Sequence, residues 1–411
     1  MSNEKASDLK CKTCWNDIQE IPRDLILGIN DEYNNDKFPQ KVNLAIGCYK
    51  DENGKPYVLE CVRKATEKYY KENVNHEYLP ISGSPEFCKQ ALKLAYKSDF
   101  KYMDRLAAIQ SISGSGALRI GQRFLYQFYP FKKKIYYSSP TWINHLIIAK
   151  GTGMEIGEYR YYNEKTKGID FDGMIEDFKN MEQNSIVLFH ACAHNPTGVD
   201  LNHEQWQKVL EIVKEKEILP FFDMAYQGFA SGDVDEDAYC VRLFANEGIN
   251  MVLAQSFSKN MGLYGERIGC LSFLTQNEKE RLAIHTNLEK IVRSEYSNPP
   301  KFGSYIVNTI LSDENLKKEW LEELYKMVKR MKDMRIGLKQ KLIELNSKLN
   351  WDNLTDQKGM FSYTGLSPEQ CKRLKDEYHI YTVKTGRISV TGLTPSNLEY
   401  VAKSLIEVTK E

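Results

Sequence analysis

The residue of this sequence best suited to covalent chemistry is a lysine, Lys259, in the polar segment QSFSKN at positions 255–260. The apolar run at positions 251–254 predicts a buried strand, and Lys259 comes just past its carboxyl end. In open α/β sheets, ligands bind at that edge. Burial there lowers the pKa of a lysine and frees an amine that can form a Schiff base with an aldehyde. Most lysines in polar loops are solvated surface charges. The hypothesis that Lys259 forms a Schiff base therefore depends on finding other residues of the same site elsewhere in the sequence.

Three further apolar runs end in side chains suited to the same chemistry. The residues that follow them are Trp142 and His145 after 135–137, Asn195 after 185–190, and Asp223 and Tyr226 at and beyond the end of 219–223. Such runs alternate with helical stretches, for example 206–214, which predicts an α/β domain with a mostly parallel sheet. We therefore expect an amine, a carboxylate, an amide, a phenol and an aromatic ring to meet at one edge of that sheet.

A glycine-rich turn predicts an anion site. Residues 109–112 read as a strand, and Ser113-Gly114-Ser115-Gly116 follows at the start of a helical stretch. Free backbone N–H groups and the helix dipole favour a phosphate at such a turn, here at Gly114 and Ser115. Two familiar nucleotide motifs do not fit. The third glycine of G-x-G-x-x-G is misplaced, and Gln122 stands where a P-loop has its lysine.

Together these groups are those that pyridoxal phosphate requires. Its aldehyde needs an amine, and its pyridine nitrogen needs a carboxylate that keeps it protonated so that the ring can act as an electron sink. Its ring oxygen needs hydrogen-bond donors, and its phosphate needs an anion site. The sequence therefore predicts pyridoxal 5'-phosphate as the cofactor.

The length and one long helical pattern predict two domains. Apolar residues recur at steps of three and four from Leu316 to Leu345, with Ser312 or Asp313 as the N-cap. Helices of this length often bridge domains, so we place the boundary inside it. The predicted organisation is an amino-terminal arm and first part of a small domain at 1–48, a large cofactor-binding domain at 49–326, and the small α/β domain at 327–411.

The composition excludes several other classes of protein. The 411 residues carry 56 Lys plus Arg against 56 Asp plus Glu, so no basic surplus indicates nucleic acid or a membrane as a partner. No apolar stretch approaches the ~20 residues of a transmembrane helix, and the amino terminus lacks an apolar signal core, so we expect a cytoplasmic protein. The cysteine count, nine, suits reduced thiols. Cys11 and Cys14 form a C-x-x-C pair without a second pair, so no metal is predicted.

The strongest motifs resemble those of the aspartate aminotransferase family. They are Ser256-Phe257-Ser258-Lys259, Asn195-Pro196-Thr197-Gly198, residues 223–228 and Arg387, with the longest matching runs at 190–198 and 225–232. The resemblance extends from about residue 42 to the C-terminus. It implies the pyridoxal-phosphate transferase fold, in which a large domain with a mostly parallel mixed sheet of the seven-stranded type, flanked by helices, carries a smaller α/β domain.

For the cofactor, the resemblance implies one covalent contact and several supporting ones. Lys259 attaches the aldehyde and moves the proton between the substrate α-carbon and the cofactor, as general acid and base. Asp223 pairs with the pyridine nitrogen and is supported by His145. Asn195 and Tyr226 are implied to contact the ring oxygen, and Trp142 is implied to stack on the ring. The residues implied at the phosphate are Gly114, Ser115, Ser256, Arg267 and Tyr78 of a second subunit. Tyr78 is the other catalytic residue that the resemblance implies.

For the substrate, the resemblance implies two arginines. Arg387 grips the α-carboxylate, and Arg293 of a second subunit grips the side-chain carboxylate, while Gly47, Trp142 and Asn195 line the pocket. The implied assembly is a homodimer with composite active sites. The leading hypothesis is reversible, ping-pong exchange of an amino group between L-aspartate and 2-oxoglutarate, giving oxaloacetate and L-glutamate.

Three departures and three alternatives stay open at this point. Ser115 stands where the family often has threonine, Ile46 is bulkier than the expected valine, and Glu60-Cys61 interrupts a stretch where the family commonly has a proline. An aromatic or broader aminotransferase would use the same scaffold and Arg387. A pyridoxal phosphate lyase or decarboxylase would share Lys259 and Asp223 but have less use for Arg293. A non-catalytic dimeric scaffold would need none of them.

Overall fold

The structure, a computed structural model, describes residues 15, 17–21 and 25–410. Cys11 and Cys14 lie outside the described residues. In chain order the helices are α1 (Leu25–Asn35), α2 (Glu60–Lys71), α3 (Pro85–Tyr96), α4 (Ser113–Phe128), α5 (Ile143–Thr152), α6 (Phe171–Asn180), α7 (His203–Glu215), α8 (Tyr239–Asn246), α9 (Glu278–Glu295), α10 (Lys301–Ser312), α11 (Glu314–Glu344), α12 (Asn353–Asp356), α13 (Pro368–Tyr378) and α14 (Leu398–Thr409). The strands are β1 (Val42–Asn43), β2 (Leu106–Ile112), β3 (Lys134–Ser139), β4 (Glu155–Arg160), β5 (Tyr162–Asn163), β6 (Gly168–Ile169), β7 (Ile186–His190), β8 (Leu219–Met224), β9 (Met251–Ser256), β10 (Ile268–Leu274), β11 (Phe361–Tyr363), β12 (Ile380–Tyr381) and β13 (Arg387–Ser389).

A seven-stranded mixed sheet forms the centre of the molecule, with the strand order β2-β10-β9-β8-β7-β3-β4. Within it β10 runs antiparallel to β2 and β9, and the other neighbouring pairs are parallel. Every residue of β9 and β10 is buried, which is typical of strands covered on both faces and explains their continuous apolar sequences. The predicted α/β fold with a mostly parallel mixed sheet is confirmed.

Helices cover both faces of this sheet. Because successive strand residues point to opposite faces, Val252 packs in the apolar layer that contains Leu118 of α4, whereas Leu253 packs in the layer that contains Val209 of α7. The first layer also includes α5 and α9, and the second includes α6 and α8. These two layers fix the strands and therefore the loops at their carboxyl ends.

The strand register brings the predicted site residues side by side. Asp223 in β8 pairs with His190 in β7 and with Ala254 in β9. Because β7, β8 and β9 are parallel, their carboxyl ends lie at the same edge of the sheet. The residues that follow these strand ends in the sequence include Asn195, Tyr226 and Lys259.

Three two-stranded sheets accompany the central one, and the first of them pairs β5 antiparallel with β6. β1 pairs in parallel with β12, and β11 pairs antiparallel with β13. The strand β1 is short, since only its two residues pair in the sheet. The chain bends directly after them, because the side-chain oxygen of Asn43 accepts a hydrogen bond from Ala45 N at 3.0 Å.

The long helix α11 connects distant parts of the chain. It has 31 residues, and its N-cap is Asp313, whose carboxylate accepts hydrogen bonds from Asn315 N and Leu316 N, as predicted. Near its start, Trp320 Nε1 donates to the carbonyl of Asn260 at 2.7 Å. The helix packs against α2 and α10 and also against α14. The domain boundary predicted inside it, between 326 and 327, stays a prediction.

Candidate active site

One cavity at the carboxyl edge of the sheet collects most of the predicted site residues. Those that line it are Gly47, Gly114, Ser115, Trp142, Asn195, Asp223, Tyr226, Ser256, Lys259, Arg267 and Arg387. Further lining residues that the sequence did not predict are Ser113, His190, Cys192, Ala225 and Phe361. Predicted residues from one end of the chain to the other therefore share a single cavity.

Lys259 points into this cavity between two aromatic rings. Its Nζ lies 5.8 Å from the ring centroid of Tyr226 and 5.8 Å from that of Tyr264. Burial lowers the pKa of the Lys259 amine, and this effect outweighs the opposing influence of the Cys48 thiol. Among the described residues, none forms an ion pair or hydrogen bond with the Lys259 ammonium. The amine is therefore available as a nucleophile and as a proton carrier.

Asp223 is held by a chain of hydrogen bonds that begins at His190. Burial lowers the pKa of His190 to about 3, so its ring is neutral at physiological pH. His190 Nδ1 accepts a hydrogen bond from Asn195 N at 3.0 Å, so the proton of the neutral ring is on Nε2, which lies 3.3 Å from Thr141 Oγ1. Thr141 Oγ1 lies 2.9 Å from His145 Nδ1.

The same chain of contacts orients the ring of His145. The Thr141 hydroxyl accepts from His190 and keeps its own proton to donate to His145 Nδ1 when that nitrogen is unprotonated. His145 Nε2 then carries a proton and donates it to Asp223 Oδ2 at 2.9 Å. This bond orients the carboxylate of Asp223, which lines the cavity, and no described residue donates to its Oδ1. The predicted partners His145 and Asp223 are therefore in contact, and the role of His145 as a support stays a prediction.

The predicted anion site has the geometry of a cup made of hydroxyls and one guanidinium. Ser113 Oγ lies 3.1 Å from Ser256 Oγ and 2.8 Å from Ser258 Oγ. Arg267 Nη2 donates to Ser115 Oγ at 3.3 Å. The helix α4 begins at Ser113, so its free N–H groups face the same place.

Three features of the cup indicate a functional rather than a purely structural role. Ser113 and Arg267 both have positive φ values, 60° and 51°, a conformation that costs of order 1–3 kcal/mol in non-glycine residues and clusters at ligand sites. Burial lowers the pKa of the Arg267 guanidinium, which forms no ion pair with a described carboxylate. A Cβ on Gly114 would lie 3.1 Å from the Cβ of Ser256, so glycine keeps this corner open.

Arg387 is a buried cation that forms no ion pair with any carboxylate in the described part of the chain. Its Nη2 donates to the carbonyl of Ala45 at 2.8 Å, and its Nη1 donates to Asn195 Oδ1 at 3.3 Å. Its Nε is buried without a hydrogen-bond partner, and its guanidinium carbon lies 4.0 Å from the centre of the Phe361 ring. Burial lowers the pKa of Arg387 to about 10. An unpaired buried charge is costly, so this arrangement favours a ligand that carries a carboxylate.

The comparisons with known proteins identify the family. The profile described as aminotransferase class I and II matches residues 39–405. This chain belongs to that family. It is 47% identical over 399 residues to a Dictyostelium discoideum protein named mitochondrial aspartate aminotransferase, covering 97% of this chain and 93% of that protein.

Solved structures of the aminotransferase family superpose closely on this fold. The cytoplasmic aspartate aminotransferase of Saccharomyces cerevisiae is 40% identical, with a TM-score of 0.94 over 96% of this chain and 98% of that one. An aromatic-amino-acid aminotransferase of Burkholderia pseudomallei, covalently bound to pyridoxal phosphate, is 40% identical, with a TM-score of 0.94 over 97% of this chain and 100% of that one. The fold of the aminotransferase family is therefore established for this chain.

Two residues predicted for the active site lie outside the cavity of their own chain. Tyr78 is 86% exposed, and Arg293 is exposed in the last turn of α9. Hydrogen bonds connect their surroundings, because Arg293 donates to Ser297, Ser297 donates to Asn298, and Asn298 Nδ2 donates to the carbonyl of Leu79 at 2.7 Å. Tyr78 and Arg293 thus belong to one surface unit, and their role in a second subunit's site stays a prediction.

The sequence analysis missed the residues that hold others in place. Phe361 gave no signal, because a phenylalanine after a glycine and a methionine reads as ordinary core. Its function appears only in the fold, where its ring stacks on Arg387 and a Cβ on Gly47 would lie 2.8 Å from its Cζ. His190 lies within a run that matches the family, and that run was the available signal for it.

Proposed function

We propose that this protein is a pyridoxal-phosphate-dependent aspartate aminotransferase, which exchanges an amino group between L-aspartate and 2-oxoglutarate. The observation that carries the proposal is that one cavity holds the unpaired Lys259 amine, the oriented Asp223 carboxylate and the unpaired Arg387 guanidinium. An α-amino acid needs the guanidinium for its carboxylate, and the cofactor needs the other two groups. The name of the Dictyostelium relative and that of the yeast structure support aspartate as the substrate.

The donor set of the cavity fits pyridoxal phosphate. Asp223 Oδ1 is available to the pyridine nitrogen, Lys259 is available to the aldehyde, and the cup of Ser113, Ser256 and Arg267 is available to the phosphate. Asn195 and Tyr226 supply donors for the ring oxygen, and Trp142 supplies a flat apolar surface. When bound, the cofactor supplies an electron sink for the bonds of the substrate α-carbon.

Lys259 then performs the proton transfers. Because burial lowers the pKa of its amine, a larger fraction of Lys259 is unprotonated near neutral pH than of a surface lysine. The free amine takes the proton from the substrate α-carbon and returns it on the cofactor side. Tyr226 and Tyr264, which flank Nζ, restrict the side chain to this path.

Arg387 orients the substrate for that transfer. Its planar guanidinium is fixed by the Ala45 carbonyl, by Asn195 and by the Phe361 ring, so a carboxylate can dock on it in one orientation. Arg293 of a second subunit recognises the side-chain carboxylate in this proposal, and Tyr78 of that subunit reaches the phosphate. The assembly proposed here is therefore a homodimer.

Substrate profiling tests the proposal. With 2-oxoglutarate as acceptor, kcat/KM for aspartate and for cysteine sulfinate should exceed that for tyrosine at least about tenfold, because two arginines suit two acidic groups. Lys259→Ala should abolish turnover and the pH response of the visible absorbance band of the cofactor. An exposed lysine of α9 provides the control Lys279→Ala, which should keep both. Normal transamination by Lys259→Ala would refute the proposal.

The aromatic alternative rests on one specific finding. The Burkholderia structure named as an aromatic-amino-acid aminotransferase superposes as well as the yeast structure does, with a TM-score of 0.94 in both cases. Arg387 would serve either substrate class, because every α-amino acid carries the carboxylate that it binds. Equal kcat/KM values for tyrosine and aspartate would favour this alternative.

The cytoplasmic location predicted from the sequence belongs to the proposal as well. The helices of residues 15, 17–21 and 25–410 are either too short or too polar to cross a membrane. Among the relatives, the Dictyostelium protein has a mitochondrial name and the yeast structure a cytoplasmic one. The zero formal net charge adds no argument for a nucleic-acid partner.

A further inference from the structure

A second cavity lies between the end of α1 with the residues that follow it and the beginning of α14. It has a volume of about 430 Å³ and shares no lining residue with the active-site cavity. Its walls come from three segments, namely residues 33–43, residues 50–54 and residues 392–400. None of the described residues that line it is acidic, whereas two of them are lysines, Lys41 and Lys50.

Lys50 is a half-buried cation that has no anion. Its Nζ lies 6.0 Å from the centre of the Tyr33 ring, and in the described part of the chain it forms no ion pair or hydrogen bond. Burial lowers the pKa of Lys50, an effect that the nearby Cys48 thiol opposes. Removing an ammonium from water without a counter-charge is unfavourable, so an anion in this cavity would be stabilised.

Lys41 adds a second positive charge and is held rigidly. Its Nζ donates to the carbonyls of Tyr33 and Asp36, both at 2.7 Å, and lies 4.4 Å from the centre of the Tyr33 ring. These acceptors are uncharged carbonyls, so they leave its net charge uncompensated. The two ammonium groups therefore flank the same tyrosine ring at the edge of the cavity.

Two acidic side chains of the adjoining segments, those of Asp36 and Asp51, have other partners. The carboxylate of Asp36 accepts hydrogen bonds from Phe38 N at 2.8 Å and from Tyr381 at 2.8 Å, and it pairs with His379 at 2.7 Å. The carboxylate of Asp51 accepts from the backbone N–H groups of its own turn. Neither carboxylate forms an ion pair with Lys41 or Lys50.

The segment at 392–400 contributes hydroxyl groups to the same cavity. Thr394 Oγ1 and Ser396 Oγ lie 2.9 Å apart, and Thr394 N is already bonded to Asn397 Oδ1 at 2.8 Å. One hydroxyl of the pair donates to the other, which leaves one O–H free to donate to a ligand. Two cations and a free hydroxyl in the lining of one cavity are groups that bind a small tetrahedral oxyanion.

We propose that this cavity binds a small oxyanion of the phosphate type, with Lys50 as its direct charged contact, Lys41 as a second positive charge, and the Thr394 and Ser396 hydroxyls as donors. The site is separate from the cup at Ser113. It does not depend on the identity of the amino acid that the active site uses.

Calorimetric titration with inorganic phosphate tests this site. The protein is used with its cofactor bound and dialysed free of excess cofactor, so that the cup at Ser113 is occupied. Wild type should bind one phosphate per chain, and Lys50→Met should bind it at least about tenfold more weakly, because a hydrogen bond to a charged group is lost. Lys55→Met removes an exposed lysine of the neighbouring turn and should change the affinity less than about twofold.

Two further variants make the outcome decisive. Lys50→Arg retains the charge and should bind phosphate within a few-fold of wild type, and Thr394→Val should weaken it without changing the net charge. Equal losses in Lys50→Met and Lys55→Met would mean diffuse attraction by surface charge and would overturn the proposal. Loss of phosphate binding in Arg387→Leu would place the ion in the active site and overturn it too, as would the absence of saturable binding to wild type.

Discussion

Three cationic side chains line the active-site cavity and none of them forms an ion pair with a described carboxylate: Lys259, Arg267 and Arg387. Burial lowers the pKa of each of these side chains, because removal from water destabilises its charged form. Such a cavity is suited to a ligand that brings a phosphate and a carboxylate of its own. The negative charges that would balance these three cations are those of the bound ligand.

The two arginines predicted to bind carboxylates should differ in their effects on specificity. Arg293→Leu should reduce kcat/KM for aspartate by on the order of 10²-fold, because losing one partner of a desolvated charge pair costs roughly 2–5 kcal/mol. Phenylalanine has no side-chain carboxylate, so its kcat/KM should fall far less. Steady-state kinetics with both substrates measures the difference.

Arg387→Leu is the matched control for that prediction. Every α-amino acid carries the carboxylate that Arg387 binds, so this variant should reduce kcat/KM for aspartate and phenylalanine alike. If Arg293→Leu also reduced kcat/KM equally for both substrates, Arg293 would have another function, such as holding Ser297 and the surface unit around Tyr78 in place.

At the scale of elements, a residue of α11 caps the N-terminus of the helix α2. Leu59 at its N-cap provides no side-chain bond, and instead Glu323 accepts hydrogen bonds from Glu60 N at 2.8 Å, Cys61 N at 3.0 Å and the Tyr57 hydroxyl at 2.9 Å. A carboxylate at a helix N-terminus satisfies free N–H groups and complements the helix dipole. This contact gives a physical account of Glu60-Cys61, because a proline at 60 would have no N–H for Glu323.

Glu323→Gln should therefore lower the free energy of unfolding by about 1–3 kcal/mol, since it removes the charge and replaces one acceptor oxygen by a donor. Its exposed neighbour provides the control Glu322→Gln, which should stay within about 0.5 kcal/mol of wild type. Urea denaturation of the three proteins measures the difference. Equal stabilities for the two variants would mean that α2 does not depend on Glu323.

The loop that carries Tyr226 is closed by a second buried carboxylate. Asp237 accepts hydrogen bonds from Ala230 N at 3.0 Å and from Ser231 N at 3.1 Å. Burial nevertheless raises the pKa of Asp237 to about 6, with a smaller contribution from the charge of Asp200. The folded protein therefore holds a proton on this group in a pH range where the unfolded chain has lost it.

The sign of the resulting pH dependence follows from that difference. Between about pH 4 and pH 6 the folded state binds more protons than the unfolded state, so Asp237 lowers the free energy of unfolding as pH rises, by about 3 kcal/mol at most. Asp237→Asn removes this contribution, so its stability relative to wild type should increase from pH 4 to pH 7. The free energy of unfolding of the exposed control Asp104→Asn should change with pH in parallel with that of wild type. If the free energy of unfolding of Asp237→Asn also ran parallel to that of wild type, the raised pKa of Asp237 would be contradicted.

The elements differ in how well the sequence predicted them. The strands β7, β8 and β9 were predicted because strands buried on both faces read as unbroken apolar runs. The edge strand β4 was not predicted, because exposed and buried residues mix in its short sequence. The reversed strand β10 was not predicted either, and the direction of a strand depends on its neighbours rather than on its own residues.

At the scale of the whole molecule, the active site requires nearly the full length of the chain. Arg387 near the C-terminus donates to the Ala45 carbonyl near the N-terminus and to Asn195 in the middle. No local pattern in the sequence brings these three together, so the position of Arg387 was implied by the resemblance and not by spacing. Local patterns predicted the strand-end residues because one sheet edge collects them.

The exposed positions of Tyr78 and Arg293 lead to a prediction about the assembly. In the proposed dimer, Lys259 and Arg387 of each site come from one chain, and Arg293 and Tyr78 come from the other. A mixed dimer of one Lys259→Ala chain and one Arg293→Leu chain then has one site with both lesions and one site with neither. Homodimers of either variant contain no intact site.

Mixing the two inactive proteins under conditions that allow subunit exchange should therefore restore turnover of aspartate. Each mixed dimer has one intact site of two, so its activity should approach about half the wild-type value. Native mass spectrometry measures the fraction of mixed dimers. A parallel mixture of Lys259→Ala with Arg387→Leu is the control, because each of these variants damages the site of its own chain, so both sites of the mixed dimer carry a lesion and no intact site can form. Mixed dimers without recovered activity would show that each active site is built within a single chain, and Arg293 would then need a function on the surface where it lies.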